Sequence, residues 1–419
     1  MQQVIVIGGG VIGLTSAWWL LEAGFGVTLV ERENAVGAGA SHSNGGQLSY
    51  RYVAPFADSG VPLKAMRWLF QADGPLRFRP EADLRQWRWL AQFLANCRAD
   101  VSRKTTARLL ALGELSRQSL VQLEMAVPKA DFGWREAGKL VVYRSRKEFD
   151  ATVARGVRAN IGQVMSPAEC VALEPALAAA QGVLAGGIYN SGEAVADCHA
   201  FCVALMARLE AHPRFGGVVH TDVKGFLKTQ GDTSENIAGI QTSSGTLSAD
   251  AYVLAAGIRS RDLAATAGSV LPLYPLKGYS LTAPIRPTDL APQVSVTDFE
   301  RKVLYARIGN KLRVAAMADI VGENLRLDPR RIGGLTAQVR AMMPSAADYG
   351  SITAWAGLRP ATPGGAPIIG ATPYRNLWLN VGHGGLGFTF ACGSARILAD
   401  VMTGVSPPVS LDGLTLPSR

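Results

Sequence analysis

The chain has 419 residues, more than one ordinary hydrophobic core accommodates, which predicts two connected domains. Nearly half of it is apolar (48%) and only 18% is charged, a composition that excludes a disordered or fibrous protein. The net charge of +9 comes from basic residues spread along the chain rather than gathered into runs, so no nucleic-acid partner is expected.

Residues 4–7 (VIVI) form a short β-branched run, the pattern of a strand buried on both faces. The apolar stretch 4–21 is interrupted by four glycines and preceded by the uncharged Met1-Gln2-Gln3. It is therefore read as neither an export signal nor a membrane span, and an intracellular protein is expected, at most attached to a membrane face. The strand leads straight into Gly8-Gly9-Gly10-Val11-Ile12-Gly13, which has the G-x-G-x-x-G spacing. A helix follows with Ala17, Leu20 and Leu21 on its packing face, stops at Gly24, and gives way to a second strand over 27–30 that ends at Glu31 and Arg32. In this arrangement Gly8 permits the tight turn, Gly10 lets a pyrophosphate approach the backbone, and Gly13 allows close helix–strand packing. Glu31 stands where a carboxylate accepts hydrogen bonds from both ribose hydroxyls, which argues against a phosphorylated ribose. The motif alone does not separate FAD from NAD; its place at the start of the chain favours FAD.

The loop 41–52 (SHSNGGQLSYRY) adds hydroxyls and glycines, with Ser41, Asn44, Gly45, Gly46 and Gln47 as expected cofactor contacts and Tyr52 as either a packing residue or a ligand. Residues 61–145 predict two helices and a strand. Within 62–98, Lys64, Arg67, Arg77, Arg79, Arg85, Arg88 and Arg98 alternate with Trp68, Leu69, Phe70, Trp87, Trp89, Leu90, Phe93 and Leu94. Such a stretch lies in a membrane interface or covers the substrate domain as a surface helix. Ser166-Pro167-Ala168-Glu169 is a capping box opening a short helix over 166–173. Beyond a helix near 197–211, a strand over 218–223 offers Val219 or Val223 to an adenine pocket. A hairpin over 224–247 with a polar tip at 231–234 then leads to a strand over 249–257, whose Ala255-Ala256-Gly257 end passes near a pyrophosphate.

Residues 271–320 alternate in strand fashion over 274–282, 303–308 and 312–317. Tyr279, in the first of these, is again a packing residue or a ligand. Residues 355–360 (WAGLRP) carry Arg359 alone in an apolar strand before the stiff turn 361–367; its guanidinium either grips a carboxylate in a fork or serves a structural salt bridge. After an apolar strand over 377–379, the turn 380–387 (NVGHGGLG) presents Gly382, His383, Gly384, Gly385 and Leu386 before a helix over 388–403. Backbone N–H groups at that helix start favour the negative charge that a reduced flavin carries. Cys97, Cys170, Cys198, Cys202 and Cys392 make no CxxC pair and no metal spacing, so neither a disulfide framework nor a metal site is expected. The expected fold is α/β with an α+β part: a Rossmann-like FAD-binding domain (1–60, 150–270 and 350–419) interleaved with an antiparallel-sheet substrate domain (61–149 and 271–349).

Several motifs together carry a family resemblance: SNGGQLS (43–49), VPLKAMRW (61–68), EPAL (174–177), YPLKGYSL (274–281), GLRPATPGGAPIIG (357–370) and NLWLNVGHGGLGFTFACGS (376–394). Over nearly its whole length the chain resembles the D-amino-acid dehydrogenase small subunit, a branch of the D-amino-acid oxidase and glycine oxidase superfamily. The resemblance implies FAD-dependent oxidation of free D-amino acids to 2-oxo acids and ammonia, with electrons passed to a quinone or other acceptor. It implies that Arg359 holds the substrate carboxylate, that Tyr279 and Tyr52 line the pocket, that 382–386 wrap the flavin and that Glu31 binds the adenosine ribose. Relatives that attach FAD covalently have a cysteine near Gly357 and Leu358, so non-covalent FAD is implied here. Tyr305 stands in place of an aliphatic residue and is expected to face substrate; Ala315-Ala316 replaces a glycine pair. The alternatives are a related amine oxidoreductase acting on glycine, sarcosine, proline or D-hydroxyproline, an RNA-modifying flavoprotein, and a membrane-associated partner subunit.

Overall fold

The computed structural model describes residues 1–69, 74–156, 162–229 and 236–416. Phe70 and the hairpin tip 231–234 lie outside the described residues. Among the described residues, two large sheets organise the chain. The first has six strands in the order Ile368–Ala371, Leu377–Val381, Ala251–Leu254, Gln3–Ile7, Gly26–Glu31 and Phe215–His220. It is parallel except for its first member. Alternate residues feed two cores. Val4 and Val6 pack with the helices Val11–Glu22, Cys198–Glu210 and Gly387–Met402, whereas Ile5 and Ile7 pack with Phe226, Ile240 and Leu263 on the other face. Burial on both sides accounts for the unbroken β-branched runs of these strands.

The second sheet has nine strands. Thr353–Ala361, Tyr274–Pro284, Lys311–Ile320, Val303–Ile308, Ser295–Asp298, Lys139–Tyr143, Gly186–Asn190 and Gln163–Met165 follow in order, and Leu76–Phe78 joins beside Lys311–Ile320. The pairing is antiparallel except between Ser295–Asp298 and Lys139–Tyr143 and between Lys311–Ile320 and Leu76–Phe78, which run parallel. One face packs Leu140, Val142, Tyr305 and Val314 against the helix Pro329–Met342. The other face, with Ser280, Thr297, Leu304 and Ala315, borders a large cavity.

Sheet membership departs from the expected boundaries. Gly186–Asn190, Gln163–Met165 and Thr353–Ala361 pair into the nine-stranded sheet, although they fall in segments assigned to the nucleotide domain. Conversely, helix Ala99–Leu123 packs with Gly387–Met402 in the core of the parallel sheet. Local pattern identifies a strand or helix but not the sheet or core it joins, which is a matter of long-range pairing. Among the described residues, the segment 61–145 holds three α-helices (Val61–Leu69, Leu84–Asn96, Ala99–Leu123), the 3-10 turn Lys129–Phe132 and two strands (Leu76–Phe78, Lys139–Tyr143) rather than two helices and one strand. The strand expected over 218–223 is two strands. Phe215–His220 completes the parallel sheet, and Val223–Lys228 starts a separate antiparallel three-stranded sheet. The capping box at Ser166 forms as read, with the hydroxyl accepting from Glu169 N and the Glu169 carboxylate accepting from Ser166 N.

Candidate active site

The first glycine turn is shaped by contact rather than by sequence habit. Gly8 has φ +114°, and a Cβ on Gly13 would lie 1.8 Å from the Gly8 carbonyl oxygen, so the helix starts against the strand end with no room for a side chain. Helix Val11–Glu22 begins at Gly10 without a side chain from that residue capping it; Ser41 Oγ accepts from Val11 N at 3.1 Å. At the end of the second strand, Glu31 Oε2 accepts from Gly9 N (2.6 Å) and Oε1 from Glu33 N (2.9 Å). The carboxylate is thus held facing the turn, with lone pairs left for a ligand.

From this turn a cavity of about 700 Å³ runs between the two sheets. Its wall includes Gly8, Gly10, Glu31, Arg32, Ser41, Asn44, Gly45, Gly46, Gln47, Tyr52, Val223, Ala256, Gly257, Tyr279, Arg359, Gly382, His383, Gly384, Gly385 and Leu386. Gly13, buried behind Gly8, is off the wall, as are Tyr305 and Val219. Residues more than 300 positions apart therefore meet at one void. Four buried polar atoms on its wall, Ser280 Oγ, Thr297 Oγ1, Asn380 Oδ1 and His383 Nε2, have no hydrogen-bond partner among the described residues. Buried polar atoms are rarely left unmatched, so such a lining fits a polar ligand. Burial drives the His383 imidazole down to about 3, which leaves it neutral at ordinary pH.

Arg359 lies on the cavity face of strand Thr353–Ala361, across Gly278 of the neighbouring strand, where any side chain would collide with the guanidinium. Its Nη1 donates to the Met317 carbonyl at 2.7 Å. It forms no salt bridge among the described residues, and enclosure lowers its affinity for its proton. Met317 adopts φ +67°, the conformation of a bulge residue. Ala316 pairs with Tyr279 and Asp319 with Lys277, so one strand carries an extra residue there, and the Met317 carbonyl takes the guanidinium.

The expectation for Tyr305 needs correction, and Tyr279 combines its two alternatives. Tyr279 borders the cavity, but its hydroxyl donates to Asp319 Oδ2 at 3.2 Å, and Asp319 pairs with Arg331 of the helix behind the sheet. Alternation along the strand gives Gly278 and Ser280 to the cavity and turns the Tyr279 side chain into the core with Leu281 and Tyr305. Tyr305 is wholly buried in that same core and is absent from the cavity wall. Of the two valines considered for an adenine pocket, Val223 reaches the wall and Val219 does not.

Sequence reasoning missed Lys139 and Lys302. Lys139, buried at the head of strand Lys139–Tyr143, donates to Gln47 Oε1 and Ser49 Oγ, both at 2.9 Å, and its ammonium lies 4.1 Å from the centroid of the Tyr52 ring. Burial pulls it down to about 7. It ties the 47–52 loop to the large sheet, while Glu193 accepts from Tyr50 N (2.7 Å) and Arg51 N (2.9 Å) to hold the loop from the other side. A lysine opening the run KLVVY resembles the polar start of any strand, and only the three-dimensional pairing reveals that it is enclosed.

Residues 3–401 match the family model described as DAO: FAD dependent oxidoreductase. The chain is 48% identical over 418 residues to D-amino acid dehydrogenase 2 of Pseudomonas aeruginosa, covering 99% of this chain and 98% of that one. It is 44% identical over 421 residues to D-amino acid dehydrogenase 2 of Ralstonia nicotianae, covering 98% of each. Among solved structures it is similar in fold to glycine oxidase from Geobacillus kaustophilus, with a TM-score of 0.76, 21% identity and complete coverage of both chains.

Proposed function

This chain belongs to the DAO family of FAD-dependent oxidoreductases, and from that premise we propose that it oxidises free D-amino acids to 2-oxo acids and ammonia, its electrons passing to a quinone or another acceptor. The observation that carries the reading is Arg359: an enclosed guanidinium without a carboxylate partner among the described residues, on the wall of a cavity that begins at a dinucleotide-binding turn. The two D-amino acid dehydrogenases similar over the full length support the choice of substrate.

Gly8, Gly10 and Gly13 shape the turn for the pyrophosphate, Glu31 and Arg32 face the adenosine, and the 41–47 and 382–386 segments surround the ring system. Bound there without a covalent link, FAD supplies the acceptor for a hydride equivalent. Arg359 holds the substrate carboxylate in a charge-assisted fork and so fixes the Cα–H direction. The carboxylates on the cavity wall, Glu31, Glu33 and Asp222, all stand at the Gly8 end. The acid whose charge reaches Arg359, Asp319, is off the wall and is engaged by Arg331 and the Tyr279 hydroxyl, so no lining carboxylate holds a substrate ammonium there and the amine reacts in its neutral form. The imine that leaves hydrolyses in water. The six-stranded half of the molecule serves the cofactor and the nine-stranded half the substrate.

The exposed Leu63, Leu84, Trp87 and Leu94 stand among Arg85, Arg88 and other cations, which supports peripheral attachment to an anionic membrane face. Among the described residues no helix is long and apolar enough to cross a membrane.

The test is anaerobic bleaching of the bound flavin by a panel of amino acids in both enantiomers. D-amino acids should bleach it with a quinone analogue restoring the oxidised spectrum; selective bleaching by L-amino acids, or by glycine or sarcosine alone, would refute the proposal.

A further inference from the structure

Arg359 has a counterpart that the oxidation itself does not use. Lys302 precedes strand Val303–Ile308 with φ +56°, a conformation rarely adopted by a side-chain-bearing residue, and borders the same cavity. Its ammonium lies 3.9 Å from the Phe299 ring centroid and makes no hydrogen bond or salt bridge among the described residues. The nearby carboxylates are engaged elsewhere. Glu148 pairs with Lys64 at 2.9 Å, Asp298 with Arg144 at 2.7 Å, and Glu300 accepts from Arg144 N and Ser145 N.

Register places the Lys302 backbone beside the strand whose Met317 carbonyl receives the guanidinium. Leu304 pairs with Ala315, so Lys302, two residues earlier, lies toward Met317 on the adjacent strand, and the Met317 carbonyl is the one that takes Arg359 Nη1. Adjacent strands are about 5 Å apart, and both side chains are long. Lys302 and Arg359 are thus two cations without carboxylate partners on the wall of one cavity, and the carboxylates that line it stand at the Gly8 end. A cation is held in such a place at a desolvation cost that an anionic ligand offsets.

We propose that Lys302 binds a second carboxylate on the substrate, making the site selective for D-amino acids with an acidic side chain, of the aspartate or glutamate type. This rests on the D-amino-acid reading above and narrows it. Arg359 takes the α-carboxylate, and the side-chain carboxylate accepts from Lys302 Nζ. The electrostatics add a pH signature. Burial, then the charge of Lys64, pulls Lys302 down to about 8, against the opposing pull of Glu300, Glu148 and Asp298. The free enzyme's preference for an acidic side chain should therefore fade as pH rises through that value.

The experiment compares kcat/KM for D-glutamate and its neutral isostere D-glutamine in wild-type holoenzyme, K302M and K302R. A ratio of at least about tenfold in the wild type, collapsing toward one in K302M and retained in K302R, supports the proposal. A wild-type ratio near one, or a ratio that survives in K302M, overturns it. Flavin perturbation spectra give a readout without turnover. Glutarate should bind oxidised wild-type enzyme at least about tenfold more tightly than valerate, and K302M should lose that margin. If glutarate keeps this margin while no D-amino acid bleaches the flavin, the oxidation reading fails and the second-carboxylate site stands. If glutarate and valerate bind alike, the second-carboxylate site fails whatever the enzyme oxidises.

Discussion

Arg359 and Lys139 divide the chemistry of the cavity at the scale of single residues. Arg359 keeps one nitrogen on the Met317 carbonyl and offers the rest of its fork to the void. Replacing it with alanine should raise KM for a D-amino acid on the order of 100-fold, the cost of a lost charge-assisted pair, while the flavin stays bound. Lysine should not rescue it, because an ammonium cannot reproduce the fork; steady-state kinetics with flavin quantitation checks both. Lys139 makes a pH prediction. Its folded value, about 7, lies below the ordinary 10.5, so between those values the unfolded chain binds more protons and stability rises with pH. Wild-type protein should therefore gain melting temperature relative to K139M from pH 7 to 10, and parallel curves would contradict the assignment. Arg359 was legible in the sequence because a lone arginine in an apolar strand is conspicuous. Lys139 and Lys302 were not, since nothing local distinguishes an enclosed lysine from a solvated one. Tyr279 stayed open between packing and lining the pocket for the complementary reason: a one-residue step along a strand decides which face a side chain takes, and the bulge at Met317 is invisible in the sequence.

Elements that bind through their backbone were the most legible, because their requirements are written in glycine. The strand, Gly8-to-Gly13 turn and helix Val11–Glu22 formed where the spacing put them, and the helix predicted over 388–403 is Gly387–Met402. Gly13→Ala places a Cβ 1.8 Å from the Gly8 carbonyl oxygen, so this variant should purify without flavin, as its absorption spectrum would report. The amphipathic helices were legible in kind but not in purpose. If Val61–Leu69 and Leu84–Asn96 rest on a membrane, then L63S, L84S and W87S together should weaken sedimentation with anionic vesicles several-fold without altering turnover of a soluble acceptor. Equal sedimentation of the two proteins would remove the membrane contact from the account.

At the scale of the whole molecule, function comes from closing two sheets on one void. The chain visits both sheets repeatedly: the six-stranded sheet draws strands from positions 3 to 381 and the nine-stranded sheet from 76 to 361. That weaving explains why the architecture could be read and its boundaries could not. Patterns along the chain name the elements, but their allotment to one sheet or the other is settled by pairings across hundreds of residues. It also brings the Gly8 turn, the 382–386 turn and Arg359 to one cavity, although no short window of sequence contains any two of them. The most direct measurement of this arrangement is a crystal structure of the FAD-bound enzyme with an unreactive carboxylate such as benzoate. It should show the carboxylate forked by Arg359 above the isoalloxazine ring, with the pyrophosphate over Gly10. A carboxylate seated elsewhere, with Arg359 making no contact to it, would contradict the account.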